Sequence, residues 1–259
     1  MINKKIHIFF CGELRYFEKN FLTLKNYLRN YHTNFLFYPW KNQIEKINDF
    51  KKNYINSQFD FIFQNDWQLK ISRIKYPDNA NSKIINLFYM WDALTQSFLI
   101  LNKTLKDDDI VLRCRTDVII HSSELKFDIN TIEENTLYIP NCYHWNGLND
   151  QIFFSKVSTL KKFQFFFEYL DTMIDSNNFI CPEYVYYKYL KKMNIRVVFF
   201  EIDYQILRNK QNKFIRNKTI IPLKDRAIIK FLKLSHKIRN FYQFFIKKKK
   251  RNKNQNLYI

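Results

Sequence analysis

The sequence predicts an α/β fold with a mainly parallel, mixed central sheet flanked by helices. Two observations carry this: apolar strand-like runs alternate with segments of helical periodicity from residue 4 to about residue 202, and no internal repeat interrupts them. A third concerns glycine. The chain of 259 residues holds two, Gly12 and Gly147, so neither GxGxxG nor GxxxxGK[ST] can occur and any nucleotide is held by other means.

KKIHIFF (4–10) reads as a first strand closing at CGELR, and Phe21, Leu24, Leu28 and Tyr31 give the next stretch a helical stripe. NFLFYPW (34–40) is a second strand broken by Pro39, and FDFIFQND (59–66) a third. Residues 84–103 form a long helix and VLRCRTDVII (111–120) a further strand. LYIPN (137–141), a helix near 158–175, a helix opening at Pro182-Glu183, and a last strand at 195–202 complete the domain.

Residues 1–225 are read as one domain and 226–259 as a basic amphipathic helical tail. The formal net charge is +19, and the tail, with eleven Lys or Arg and no acid, supplies +11 of it. Phe231, Leu234, Ile238, Phe241 and Phe245 recur at spacings of three and four, the profile of a helix lying on an anionic membrane or docked on the domain. No window reaches the length of a membrane span, and the start MINKKIHIFFCG has too short an apolar run for a signal peptide. Cys11, Cys114, Cys142 and Cys181 lack zinc spacing and read as reduced thiols of a cytosolic protein. The charge by itself would fit a basic nucleic-acid-binding protein, but no RNP-like, zinc or helix-turn-helix segment accompanies it, so nucleic acid is not the expected partner.

The strand 111–120 holds the most informative residues. In extended backbone Arg113, Arg115 and Asp117 share one face, so the row is either an internal salt-bridge ladder or the floor of a polar site. Ligands of open parallel sheets bind beyond the carboxyl ends of the strands. By that test Asp107, Asp108 and Asp109, which precede the strand, form a solvated turn, whereas Asp117 is placed to bind a divalent cation on a diphosphate, with Arg113 or Arg115 on its oxygens. Gly12 and Arg15 come after the first strand and suit a nucleotide or an ordinary turn. Asn149 and Asp150 present polar groups to a sugar or cap the apolar segment after them. Glu183 is a general base or a first-turn acid, and Trp40 and Trp145 stack on a ring or fill the core.

Gly12-Glu13-Leu14-Arg15 after the first strand, Trp40, the helix NLFYMWDAL, Arg115-Thr116-Asp117 and Asn149-Asp150-Gln151, in that order over residues 4–208, resemble bacterial glycosyltransferases of lipopolysaccharide and capsule synthesis, the WavE-like type. The resemblance implies a GT-A-like fold, a nucleotide-sugar donor and a divalent cation, Mn or Mg, with Asp117 the metal or donor ligand, Asp150 contacting the sugar or assisting catalysis, and Glu183 the base if the enzyme inverts. The residues' own positions put Gly12, Arg15, Arg113 and Arg115 on the nucleotide and Trp145 and Asn149 on the acceptor or sugar, and the cysteine pattern and basic tail suit a lipid-linked or polysaccharide acceptor at the inner face of the cytoplasmic membrane. Arg115 stands where the first acid of the family's DxD would be, and an arginine can neutralise a diphosphate without a metal. The alternative to an active enzyme is an inactive assembly protein on the same fold.

Overall fold

The computed structural model describes residues 5–43, 58–66, 84–142, 144, 147–175 and 182–207. Trp145, Cys181, the boundary at 225 and the basic tail lie outside the described residues.

The strands are β1 (Ile6–Gly12), β2 (Thr33–Pro39), β3 (Gln58–Phe59), β4 (Ile110–Cys114), β5 (Val118–Ile120), β6 (Thr136–Pro140), β7 (Ile152–Lys156), β8 (Arg196–Phe200) and β9 (Tyr204–Ile206). The helices are α1 (Phe17–Tyr27), α2 (Ile84–Thr104), α3 (Val157–Leu160), α4 (Phe166–Asp175) and α5 (Pro182–Lys192). Seven strands make one sheet in the order β3-β2-β1-β4-β7-β6-β8, while β5 and β9 pair in a separate ribbon. β1 pairs in parallel with β2 and β4, and β6 does so with β8. β7 runs antiparallel to both β4 and β6. This is the mixed, mainly parallel sheet between helices that the alternation of strand-like and helical segments predicts.

Alternation along the strands fills both faces of the sheet. Phe9, Leu36, Val111, Phe153 and Ile139 point to the side covered by α2, α4 and α5, where they meet Phe88, Phe98, Phe163 and Tyr189. Ile8, Phe10, Phe35, Phe37, Leu112 and Phe154 point to the other, under Phe17, Phe21 and Leu24 of α1. A strand buried on both faces reads as a continuous apolar run, which is why IHIFF and IVL are so hydrophobic. Each fully buried Phe or Leu contributes about 1.5–3 kcal/mol.

The chain beyond β3 is held to α2 by polar contacts. The Asp92 carboxylate, buried on α2, accepts from the Asn65 side-chain amide at 2.9 Å and from Gln96 Nε2 at 2.9 Å, and the Gln96 amide bonds both the N–H and the carbonyl of Phe63. Pro39 ends β2, and Trp40 continues the pairing through a single bridge to Ile62. Among the described residues no helix is long and apolar enough to cross a membrane.

Candidate functional site

β1 has β2 on one side and β4 on the other, and the chain reaches β4 only after β3 and α2. Strand order therefore reverses between β1 and β4, and the crevice beyond their carboxyl ends is where such a sheet binds ligands. Gly12 closes β1 with φ +81°, a backbone that side chains other than glycine's rarely adopt. A Cβ there would meet Ala93 Cβ at 3.4 Å and Trp40 Nε1 at 3.6 Å, so conformation more than space selects glycine. The two loops of the crevice are tied together by Thr116, whose Oγ1 donates to the Glu13 carbonyl at 2.8 Å and accepts from the Arg15 N–H at 3.3 Å.

The expected strand 111–120 is interrupted. β4 stops at Cys114, residues 115–118 form a turn closed by Val118 N–H donating to the Arg115 carbonyl at 3.3 Å, and β5 then leaves for the ribbon with β9. The row of charges on one face is thus corrected: Arg113 lies in the sheet and Arg115 and Asp117 lie on the turn. Buried Asn20 of α1 shapes that turn, its amide donating to the carbonyls of Arg115 at 3.0 Å and Val118 at 2.5 Å. Leu207 N–H donates to the Asp117 carbonyl at 2.7 Å from the far side. Arg115 grips Asp117 with both tines of its fork, Nε to Oδ1 at 2.9 Å and Nη2 to Oδ2 at 2.6 Å. Burial works against the Arg115 cation, but Asp117, with Asp150 and Tyr204 in support, outweighs it and holds the guanidinium above its ordinary range. Arg15 pairs with Glu13 and senses the charges of both Asp117 and Arg115.

Because β7 is antiparallel, its beginning lies at the edge where β4 ends: Cys114 pairs with Ile152, and Arg115 N–H donates to the Gln151 carbonyl at 3.1 Å. Asn149, Asp150 and Gln151 thereby stand beside the Arg115 turn. The Asn149 amide is fully buried, donating to the Cys142 carbonyl at 2.8 Å and the Tyr204 hydroxyl at 2.6 Å while its Oδ1 accepts the Gln151 N–H at 2.8 Å. Its bonds are made within the protein, where it orders the loop that presents Asp150. The Asp150 carboxylate, 4% exposed, borders a cavity of about 10 Å³ with Trp91, Leu94, Phe153 and Tyr186. Glu183, in the first turn of α5, is also buried, and its carbonyl accepts the Leu148 N–H at 2.9 Å. A Cβ on Gly147 would lie 1.9 Å from that carbonyl oxygen, so only glycine lets the loop touch α5. Past the ends of β2 and β3, Trp40, Lys41, Asn42 and Gln64 line an open cleft of about 410 Å³.

The structure gathers Gly12, Arg15, Arg115, Asp117 and Asp150 at one edge, with Arg113 one step back inside the sheet and Asn149 and Glu183 in the packing that supports Asp150. Sequence reasoning missed Asn20, Thr116, Tyr186 and Tyr204. Asn20 carried a readable signal, a polar residue on the apolar stripe of α1 between Phe17, Phe21 and Leu24.

The expected Mn or Mg does not fit this arrangement. Both oxygens of Asp117 already receive guanidinium hydrogen bonds, and among the described residues no group of three His, Cys, Asp or Glu stands together to hold an ion. Asp107 and Asp108 precede β4, where they pair with Lys161 at 2.5 Å and Lys156 at 2.8 Å.

No family model and no curated protein sequence matches the chain. Among solved structures it is similar to the galactosyltransferase LgtC in complex with donor and acceptor sugar analogs (TM-score 0.47, 11% identity, 75% of this chain and 72% of that one). It is similar to apo mouse xyloside xylosyltransferase 1 (0.45, 9%, 77% and 85%). It is also similar to the apo glycosyltransferase GlyE of Streptococcus pneumoniae TIGR4 (0.44, 14%, 75% and 45%). At these values the likeness carries no argument about activity, which rests on the residues themselves.

Proposed function

We propose that the protein is a glycosyltransferase that moves a sugar from a nucleotide-sugar donor to a hydroxyl of a growing cell-surface polysaccharide or lipooligosaccharide, of the WavE-like type. The observation that carries this reading is the meeting of Arg15, the Arg115–Asp117 pair and Asp150 at the crevice between β1 and β4. Transfer breaks the bond between the sugar's anomeric carbon and the donor phosphate oxygen, and the electron pair leaves with the diphosphate. Cationic donors at that oxygen stabilise the departing charge. The acceptor oxygen forms the new bond and its proton passes to a carboxylate. Asp150 faces the sugar in this scheme, and Glu183 is the base. The cleft beside Trp40 gives the nucleoside room. The basic tail brings the enzyme to a lipid-linked acceptor on an anionic membrane at the cytoplasmic face.

The test is thermal-shift titration with UDP, GDP, CMP and dTDP, followed by transfer assays on the nucleotide that stabilises. Glu183→Gln, which removes the base, is expected to remain folded and lose about 10²–10⁴-fold in kcat. Absence of any nucleotide response, together with salt-sensitive RNA binding, would replace this reading with a nucleic-acid-binding one.

A further inference from the structure

The acid that would hold a cation is already held. The Asp117 side chain is 8% exposed and that of Arg115 29%, so the guanidinium is the more accessible member of the pair. Thr116 docks the Arg15 backbone onto the same turn, and the Arg15 side chain, 61% exposed, reaches into solvent from it. Arg113 lies one step back, 3% exposed, with Nε and Nη1 making no hydrogen bond among the described residues.

Resting on the glycosyltransferase reading, we propose that the donor diphosphate is bound by the guanidinium groups of Arg115 and Arg15 in place of a divalent cation, with Asp117 a positioning residue that aims Arg115. Three features support this assignment. A carboxylate engaged by both tines of an arginine has no lone pair free in its favoured directions for a metal, and displacing the fork would leave a guanidinium beside the ion. Arg115 keeps Nη1 outside its two bonds to Asp117, and a planar guanidinium matches the spacing of phosphate oxygens. Arg113 adds a fixed positive charge behind the crevice, where lower polarity strengthens its pull on an anion.

The experiment is calorimetric titration of the full chain with UDP, GDP and dTDP, in EDTA and again with manganese, on the wild type and on Arg115→Lys, Arg15→Gln and Asp117→Asn. The expected result is an affinity unchanged within about twofold by EDTA or manganese, because no bound ion contributes. Arg115→Lys should weaken binding about tenfold or more, since lysine cannot reproduce the fork. Asp117→Asn should weaken it equally in both buffers. Arg15→Gln, on an exposed side chain, should weaken binding without altering the melting temperature of the free protein, which separates a binding loss from misfolding. Binding that vanishes in EDTA, returns with manganese and loses that response in Asp117→Asn would overturn the metal-free assignment and leave the transferase reading standing. Absence of binding in either buffer would overturn both.

Discussion

The side-chain amide of Asn149 donates to the hydroxyl of Tyr204 at 2.6 Å, and that hydroxyl donates onward to Gln151 Oε1 at 2.8 Å. One tyrosine on β9 therefore bonds two buried side-chain amides flanking Asp150. Tyr204→Phe keeps the ring and strands both partners, for which the expected cost is about 2–4 kcal/mol by urea denaturation. Nucleotide affinity should change little, because the loss falls on the loop beneath Asp150 and not on the arginines.

Gly147 makes a sharper demand. Its absent side chain lets the loop before Asn149 rest on the Glu183 carbonyl. Gly147→Ala is expected to push the loop off the first turn of α5, at about 1–3 kcal/mol in stability. Transfer activity should fall further than stability, since Asp150 and Glu183 move relative to each other. Comparing kcat with the denaturation midpoint checks this.

Arg113 is a test of purpose. A buried cation with unused donors is a poor stabiliser, and apolar replacement of such groups is commonly neutral or favourable. Arg113→Met is expected to leave the protein as stable or up to about 3 kcal/mol more stable, while nucleotide affinity drops several-fold. A loss of stability with unchanged affinity would make Arg113 a structural residue.

His7 sets an acid limb. Burial in β1 holds its imidazole below the ordinary 6.5, partly opposed by Asp109 and reinforced by Lys5. Above that value both folded and unfolded chains carry it neutral. As the pH falls below 6.5 the unfolded chain takes the proton first, so stability declines until the lowered folded-state value is passed. His7→Gln should remove this contribution: its melting temperature, relative to wild type, should rise as the pH drops from 7 to 5.

Much of this architecture is legible in the sequence. Strands β1, β2, β4, β6 and β8 and helices α1, α2 and α5 emerge from local apolar period and from Pro182 at a first turn. The features that escape are decided by distant partners. IFFSK reads as an apolar segment, and nothing local says that it enters between β4 and β6 in the opposite direction. Thr116-Asp117 are turn-compatible residues, yet the flanking VLRC and VII make the whole run look like one strand; the break is imposed by Asn20 and β9. Asp117 is visible as a candidate site residue from its position after a strand, whereas its capture by Arg115 depends on the turn. Asn149 is visible as a polar loop residue, and its burial depends on Tyr204.

The ribbon of β5 and β9 bears on how the molecule matures. Asp117 receives its backbone hydrogen bond from Leu207, and His121 and Ser122 donate theirs to Asp203. These are contacts of large sequence separation, which form late because a long loop must close first. During synthesis the sheet from β1 to β4 can begin to assemble while the Arg115 turn still lacks its outer clasp, and the crevice is completed only when the stretch after β8 has emerged. A nascent chain stopped at β8 should be compact and unable to bind a nucleotide, so the onset of binding would mark the end of folding for this unit.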